Sequence, residues 1–113
     1  MKKIISLLIL CLFAITNVAY ANPPTKIDTE YNVSTKTLAV VVAHPVKDPQ
    51  KHYIYKITLT LNGKEISKNE FNNQYNNTVQ QTSFIIKDAK PGDVLIVEAT
   101  CSIFGSLAKK ITL

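Results

Sequence analysis

The stretch from Tyr53 to Leu61 alternates apolar and polar side chains and runs directly into Asn62-Gly63. A period of two belongs to a strand with one wet face, not to a helix. Asn-Gly is the pair that most readily takes positive φ at both centres of a two-residue turn, so the chain is expected to reverse there into a return strand over Lys64 to Ser67. On this reading Tyr53, Tyr55, Ile57, Leu59 and Leu61 face the core, and Lys56, Thr58 and Thr60 face solvent.

The rest of the chain speaks the same language. Lys36 to His44 is rich in β-branched residues around Val40-Val41-Val42 and predicts a buried strand. Pro45, which cannot donate to a ladder, ends it. Val46 to Lys51 is a loop, and the asparagine-rich run Asn69 to Asn77 predicts a long exposed one. Gln81 to Lys87 reads as a strand, and Lys90-Pro91-Gly92-Asp93 has the residue order of a type II turn. Val94 to Phe104 predicts a long strand with Leu95, Val97, Ala99, Cys101 and Ile103 on one face. Gly105-Ser106 then turns the chain into a last strand, Leu107 to Leu113. No segment sustains a helical period. Short strands separated by turn signals predict an all-β fold, an immunoglobulin-like antiparallel β-sandwich in a single domain.

The amino terminus has a different character. Lys2 and Lys3 precede an apolar run from Ile4 to Ile15, and Ala19-Tyr20-Ala21 places small residues where a signal peptidase reads them. Residues 1–21 are therefore expected to be a cleaved signal peptide, with the mature chain starting at Asn22 in the periplasm or outside the cell. The apolar run is short for a membrane span and no second one follows, so no span is expected after cleavage. Residues 22–35 read as a polar, Pro-containing lead-in, and 36–113 as the sandwich domain.

Two of the 13 lysines lie in the leader, leaving 11 lysines against 8 acids and a formal charge of +3. The lysines are scattered and arginine is absent, which does not make the clustered basic patch of a nucleic-acid binder. Three glycines are too few for a phosphate-cradling loop, and neither histidine sits in a nucleophile-elbow context. Chemistry therefore falls to His44, His52 and Cys101. The two histidines flank one loop, and Cys101 lies towards the end of a late strand, so all three can meet at one end of a sandwich. Two imidazoles and a thiolate suit a transition metal. Equally, Cys101 is in phase with an apolar face and fits as a small buried hydrophobe.

The wording around these residues resembles the superoxide reductase family, also called the desulfoferrodoxin ferrous-iron-binding domain or neelaredoxin. His44-Pro45, His52-Tyr53-Ile54, Pro91-Gly92-Asp93 and Cys101-Ser102-Ile103-Phe104-Gly105 follow the family's His-Pro, His-Tyr-Ile, Pro-Gly-Asp and Cys-Asn-x-His-Gly in the same order. The resemblance covers Leu38 to Leu113. It implies an immunoglobulin-like sandwich and a non-haem Fe(2+) centre that reduces superoxide, or another small oxygen species, with an external electron donor. It also implies that His44 and His52 are equatorial ligands and Cys101 the axial thiolate. Two family ligands are missing: Phe104 stands at one histidine position, and residues 22–43 contain no histidine. Water or an oxygen of Asp28, Glu30 or Asp48 is expected to complete the reduced set. The remaining His2Cys set is also that of electron-transfer copper sites, whose usual axial Met has no counterpart in the mature chain, and zinc suits the same donors. A sandwich that has lost its metal and serves as a binding module is the other reading of the missing ligands.

Overall fold

The structure, a computed structural model, describes residues 22–113. The expected signal peptide, residues 1–21, lies outside the described residues. Seven strands follow one another: β1 Lys26–Asn32, β2 Thr37–Ala43, β3 Ile54–Leu61, β4 Lys64–Glu70, β5 Val79–Ile85, β6 Val94–Cys101 and β7 Ser106–Thr112. They form two antiparallel sheets, ordered β1-β2-β5 and β4-β3-β6-β7. The core lies between them, and the all-β sandwich is as expected. No helix among the described residues is long and apolar enough to cross a membrane.

Alternation builds the core. Leu38, Val40 and Val42 of β2 are fully buried, as are Ile57 and Leu59 of β3 and Leu95, Val97 and Ala99 of β6. The triple valine is not buried throughout: Val41 faces outward, because this sheet has one wet face. The strand expected to run to Phe104 ends at Cys101. Ile103 therefore leaves the inner face and is exposed, as is Phe104.

Residues 26–32, expected within the lead-in, form β1. This strand pairs with β2 from Lys26↔Ala43 to Asn32↔Thr37. Its sequence, Lys-Ile-Asp-Thr-Glu-Tyr-Asn, buries only Ile27 below one tenth exposure. An edge strand is held by its ladder, so it needs little apolar patterning.

The phase of β3 also departs from the expected one. The β3–β6 register shifts between Ile54 and Lys56, a bulge that adds one residue to β3. Ile57 and Leu59 point inward as expected. Beyond the bulge the inward position is Ile54, fully buried and opposite Cys101, while Tyr55 is exposed. A one-residue insertion exchanges the two faces of a strand.

Two turns lock the end of the sandwich far from this bulge. Asn62 and Gly63 have φ of 50° and 86°, the signs a type I′ turn needs. Asn62 does more than turn: its Nδ2 donates to Asp93 Oδ1 at 3.1 Å, and its Oδ1 accepts from Val94 N at 2.9 Å. The other Asp93 oxygen accepts from Lys90 N at 2.8 Å. The Asn62 bond, then the Lys90 amide, holds the Asp93 carboxyl below its ordinary pKa of 3.8.

Asn62→Ala should therefore destabilise the fold by about 1–2 kcal/mol in urea unfolding, through two lost hydrogen bonds and a disfavoured positive φ. Asn62→Gly keeps the turn and should cost less. Because the folded pKa of Asp93 is lowered, its contribution is complete above 3.8 and declines as pH falls through the folded value. Unfolding midpoints measured down the acid range should show this decline, and Asp93→Asn should flatten it.

Candidate metal centre

The three residues singled out from the sequence meet at one end of the sandwich. His44 follows β2 in one sheet; His52 precedes β3 and Cys101 ends β6 in the other. One donor atom from each lies within 4.8 Å of the others. His52 Nε2 is 3.1 Å from Cys101 Sγ, and the two imidazole rings stand edge to face with centroids 4.7 Å apart.

Local structure explains each position. The amide of His44 donates to Thr78 O at 2.8 Å, which extends the β2–β5 ladder one step. His52 closes a tight turn, its amide donating to Asp48 O at 3.0 Å. The bulge then sets the side to which His52 points, since the inward residues beyond it are Ile54 and, two positions back, His52. Cys101 is held by Ile54 across the ladder and by its amide bond to Gly105 O at 2.9 Å. Its sulfur accepts from Ile103 N at 3.4 Å.

The key supporting residue is Gln74, which the sequence reading placed in an exposed loop. It is 4% exposed. Its Nε2 donates to His44 O at 2.8 Å and to Asn76 O at 3.0 Å. Its Oε1 accepts from Ile54 N at 3.2 Å and from His44 Nδ1 at 2.7 Å. Because two carbonyls fix the amide nitrogen, the oxygen must be the atom facing His44, so Nδ1 carries the hydrogen. A ring held this way presents Nε2 to a metal, the arrangement that ligating histidines adopt.

His44 is fully buried and Cys101 nearly so, whereas His52 is half-buried at the rim. Burial first, then the neighbouring His44, lowers the pKa of His52; a contact with the Asn22 backbone opposes this. The balance favours the neutral imidazole that can ligate. An open depression of about 500 Å³, lined by Asn22, Pro45, Val46, Lys47, Asp48 and His52, lies against the rim. The donor set therefore fits a transition metal: two nitrogens and one sulfur, a fixed tautomer on the buried ring, and access from one side.

None of the acids expected to complete the set joins the cluster. Asp28 pairs with Lys26 on the exposed side of β1, and Glu30 is exposed on the same strand. Asp48 lines the depression but accepts from the Gln50 amide at 3.0 Å. His44 Nε2 is instead in hydrogen-bond contact with the Asn22 carbonyl oxygen, at 2.8 Å. Phe104 lies outside the cluster in the exposed turn after β6.

Replacing Gln74 by Leu would leave four buried or half-buried backbone and ring groups without their partner. Gln74→Leu should lower stability by about 2–4 kcal/mol in denaturant unfolding.

No family model matches the chain, and no curated protein matches it. Among solved structures, the chain is similar to a superoxide reductase (1Fe-SOR) from Giardia intestinalis, with a TM-score of 0.62 and 17% identity. The match covers 81% of this chain and all of that one. At that identity the likeness is one of fold: the two chains share the sandwich, and in this one His44, His52 and Cys101 meet at one end of it.

Proposed function

We propose that this is an exported iron-binding protein of the superoxide reductase type, with His44, His52 and Cys101 as ligands. The observation that carries the reading is the meeting of these three side chains on such a fold, with Gln74 fixing the His44 tautomer. Ferrous iron, when bound, would supply the electron that converts superoxide to peroxide.

The chain's own residues have separable tasks. Gln74 keeps hydrogen on His44 Nδ1 and so leaves Nε2 for the metal. Cys101 supplies anionic sulfur, steadied by the Ile103 amide. His52, at the rim, borders the depression through which a small oxygen species would arrive. With only two histidines in the chain, four imidazoles cannot come from one copy. Turnover is therefore expected to fall below that of a full ligand set. That same shortage favours the second reading, a metal-free binding module on the inherited sandwich.

Anaerobic loading with Fe(2+), followed by oxidation, separates the two. One iron per chain and a visible thiolate-to-iron charge-transfer band are expected. Cys101→Ser should abolish the band, and His52→Ala should weaken iron retention by at least about 10-fold. Absence of iron uptake by the unaltered protein would leave the binding-module reading. Elemental analysis after competition with copper and zinc identifies the preferred metal.

A further inference from the structure

Two open sheets leave four edge strands among the described residues: β1 and β5 on one sheet, β4 and β7 on the other. A free edge offers backbone groups to any other strand, and charged side chains are a common deterrent. β1, β4 and β7 each carry lysine, with acids beside it on the first two. β5 is different. Its sequence, Val-Gln-Gln-Thr-Ser-Phe-Ile, holds no charge and no proline, and its register against β2 is unbroken.

The register fixes which backbone groups β5 turns outward. Just beyond its two ends, the His44 amide donates to Thr78 O and the Ile86 amide to Lys36 O, each at 2.8 Å. Hydrogen-bonded pairs alternate along an antiparallel ladder. Gln80, Thr82 and Phe84 therefore turn their amides and carbonyls to β2. Val79, Gln81, Ser83 and Ile85 turn theirs to the free edge.

Three side-chain amides close on that edge. Asn76 takes both groups of Val79: its Oδ1 accepts from Val79 N at 2.8 Å, and its own backbone amide donates to Val79 O at 3.3 Å. Gln80 Oε1 accepts from Gln81 N at 3.2 Å. Gln80 is itself buried, and its Nε2 donates to Asn73 O at 2.9 Å. Asn69 reaches across from β4 in the opposite sheet. Its Nδ2 donates to Thr82 Oγ1 at 2.7 Å and to Ser83 O at 3.2 Å. The asparagine-rich segment thus converges on the one edge that has no charge to protect it.

We propose that Asn69, Asn76 and Gln80 seal β5 against strand addition and keep the chain monomeric, and that the edge they cover fits the β5 edge of a second copy. Both strands lack charge, so two copies meet there without the like-charge repulsion that facing lysines would impose. A two-fold axis at Ser83 sets Ser83 opposite Ser83 and Gln81 opposite Ile85, and it joins two three-stranded sheets into one of six. The Ser83 amide of each copy then donates to Ser83 O of the other. Asn69 is the decisive seal, because its Nδ2 already occupies that carbonyl. The inference is independent of the metal centre.

Sedimentation of the protein produced from the full chain, over a range of concentrations, tests it. The unaltered protein should remain a monomer. Asn69→Ala frees Ser83 O in both copies, so two more hydrogen bonds can form and association should strengthen at least about 10-fold. Hydrogen exchange locates the contact: the Ser83 and Ile85 amides should exchange rapidly in the unaltered protein and become protected in the associated variant. Adding Ser83→Pro, which an edge strand tolerates where the N–H faces outward, should restore the monomer. Self-association of the unaltered protein overturns the proposal, as does an Asn69→Ala protein no more associated than the unaltered one. Association that leaves Ser83 and Ile85 unprotected, or that persists in a folded Ser83→Pro variant, overturns it as well. If the proline variant does not fold, the exchange measurement decides alone.

Discussion

The pairing of β3 with β6 is the contact from which the rest of the molecule follows. It runs from Leu61↔Leu95 to Ile54↔Cys101 and brings Ile57, Leu59, Val97 and Ala99 into the centre of the core. Along most of its length it is an ordinary antiparallel ladder. The exception is the extra residue between Ile54 and Lys56. Continued without it, the inward face of β3 would keep odd numbers, and Tyr53 rather than His52 would point toward Cys101. The bulge exchanges the faces just before the strand ends, so His52 Nε2 arrives 3.1 Å from the sulfur. A local irregularity of backbone is thus what aims His52 at Cys101, and bulges commonly re-aim a side chain in this way.

Gln74 supplies the second constraint. It joins the end of β2, through His44, to the start of β3, through the Ile54 amide. These belong to opposite sheets, so one amide side chain ties the sandwich shut at the candidate site. In a low-dielectric setting such a network stabilises only when complete, because each unpaired member keeps its desolvation cost. All four of its hydrogen bonds are made. The same residue therefore secures the fold and selects the tautomer of His44.

What could be read from the sequence was whatever depends on neighbours along the chain. The Asn62-Gly63 hairpin and the Pro91-Gly92 turn are legible because their φ requirements are local. The inward faces of β2 and β6 are legible because apolar residues alternate there. β1 escaped because an edge strand binds through its backbone, and Lys-Ile-Asp-Thr-Glu-Tyr-Asn shows little apolar pattern. The bulge escaped because Tyr53-Ile54-Tyr55 offers an apolar residue in either phase. His44, His52 and Cys101 stood out by their chemistry and by the wording around them. Gln74 and the Asn22 carbonyl did not: one meets mostly backbone groups distant in sequence, and the other is backbone itself.

That two imidazoles and one sulfur come together can be understood from where these side chains sit. His44 and Cys101 are fixed by sheet ends, and His52 by a turn that leads directly into a strand. Ladder bonds and core packing already hold these positions, so their donors converge without any loop having to be ordered for the purpose. Phe104 occupies the turn after β6, where its side chain is 63% exposed and makes no part of the core. A ligand at such a place depends on the turn for its aim, and nothing in the sandwich would collapse if that aim were lost. Residues 22–24 are the opposite case: Pro24 is buried, Pro23 rests on Gly105, and the Asn22 carbonyl is thereby held in hydrogen-bond contact with the buried His44 ring. The three clustered side chains are therefore ones that the sandwich itself positions, and an open depression lies beside His52 at their rim.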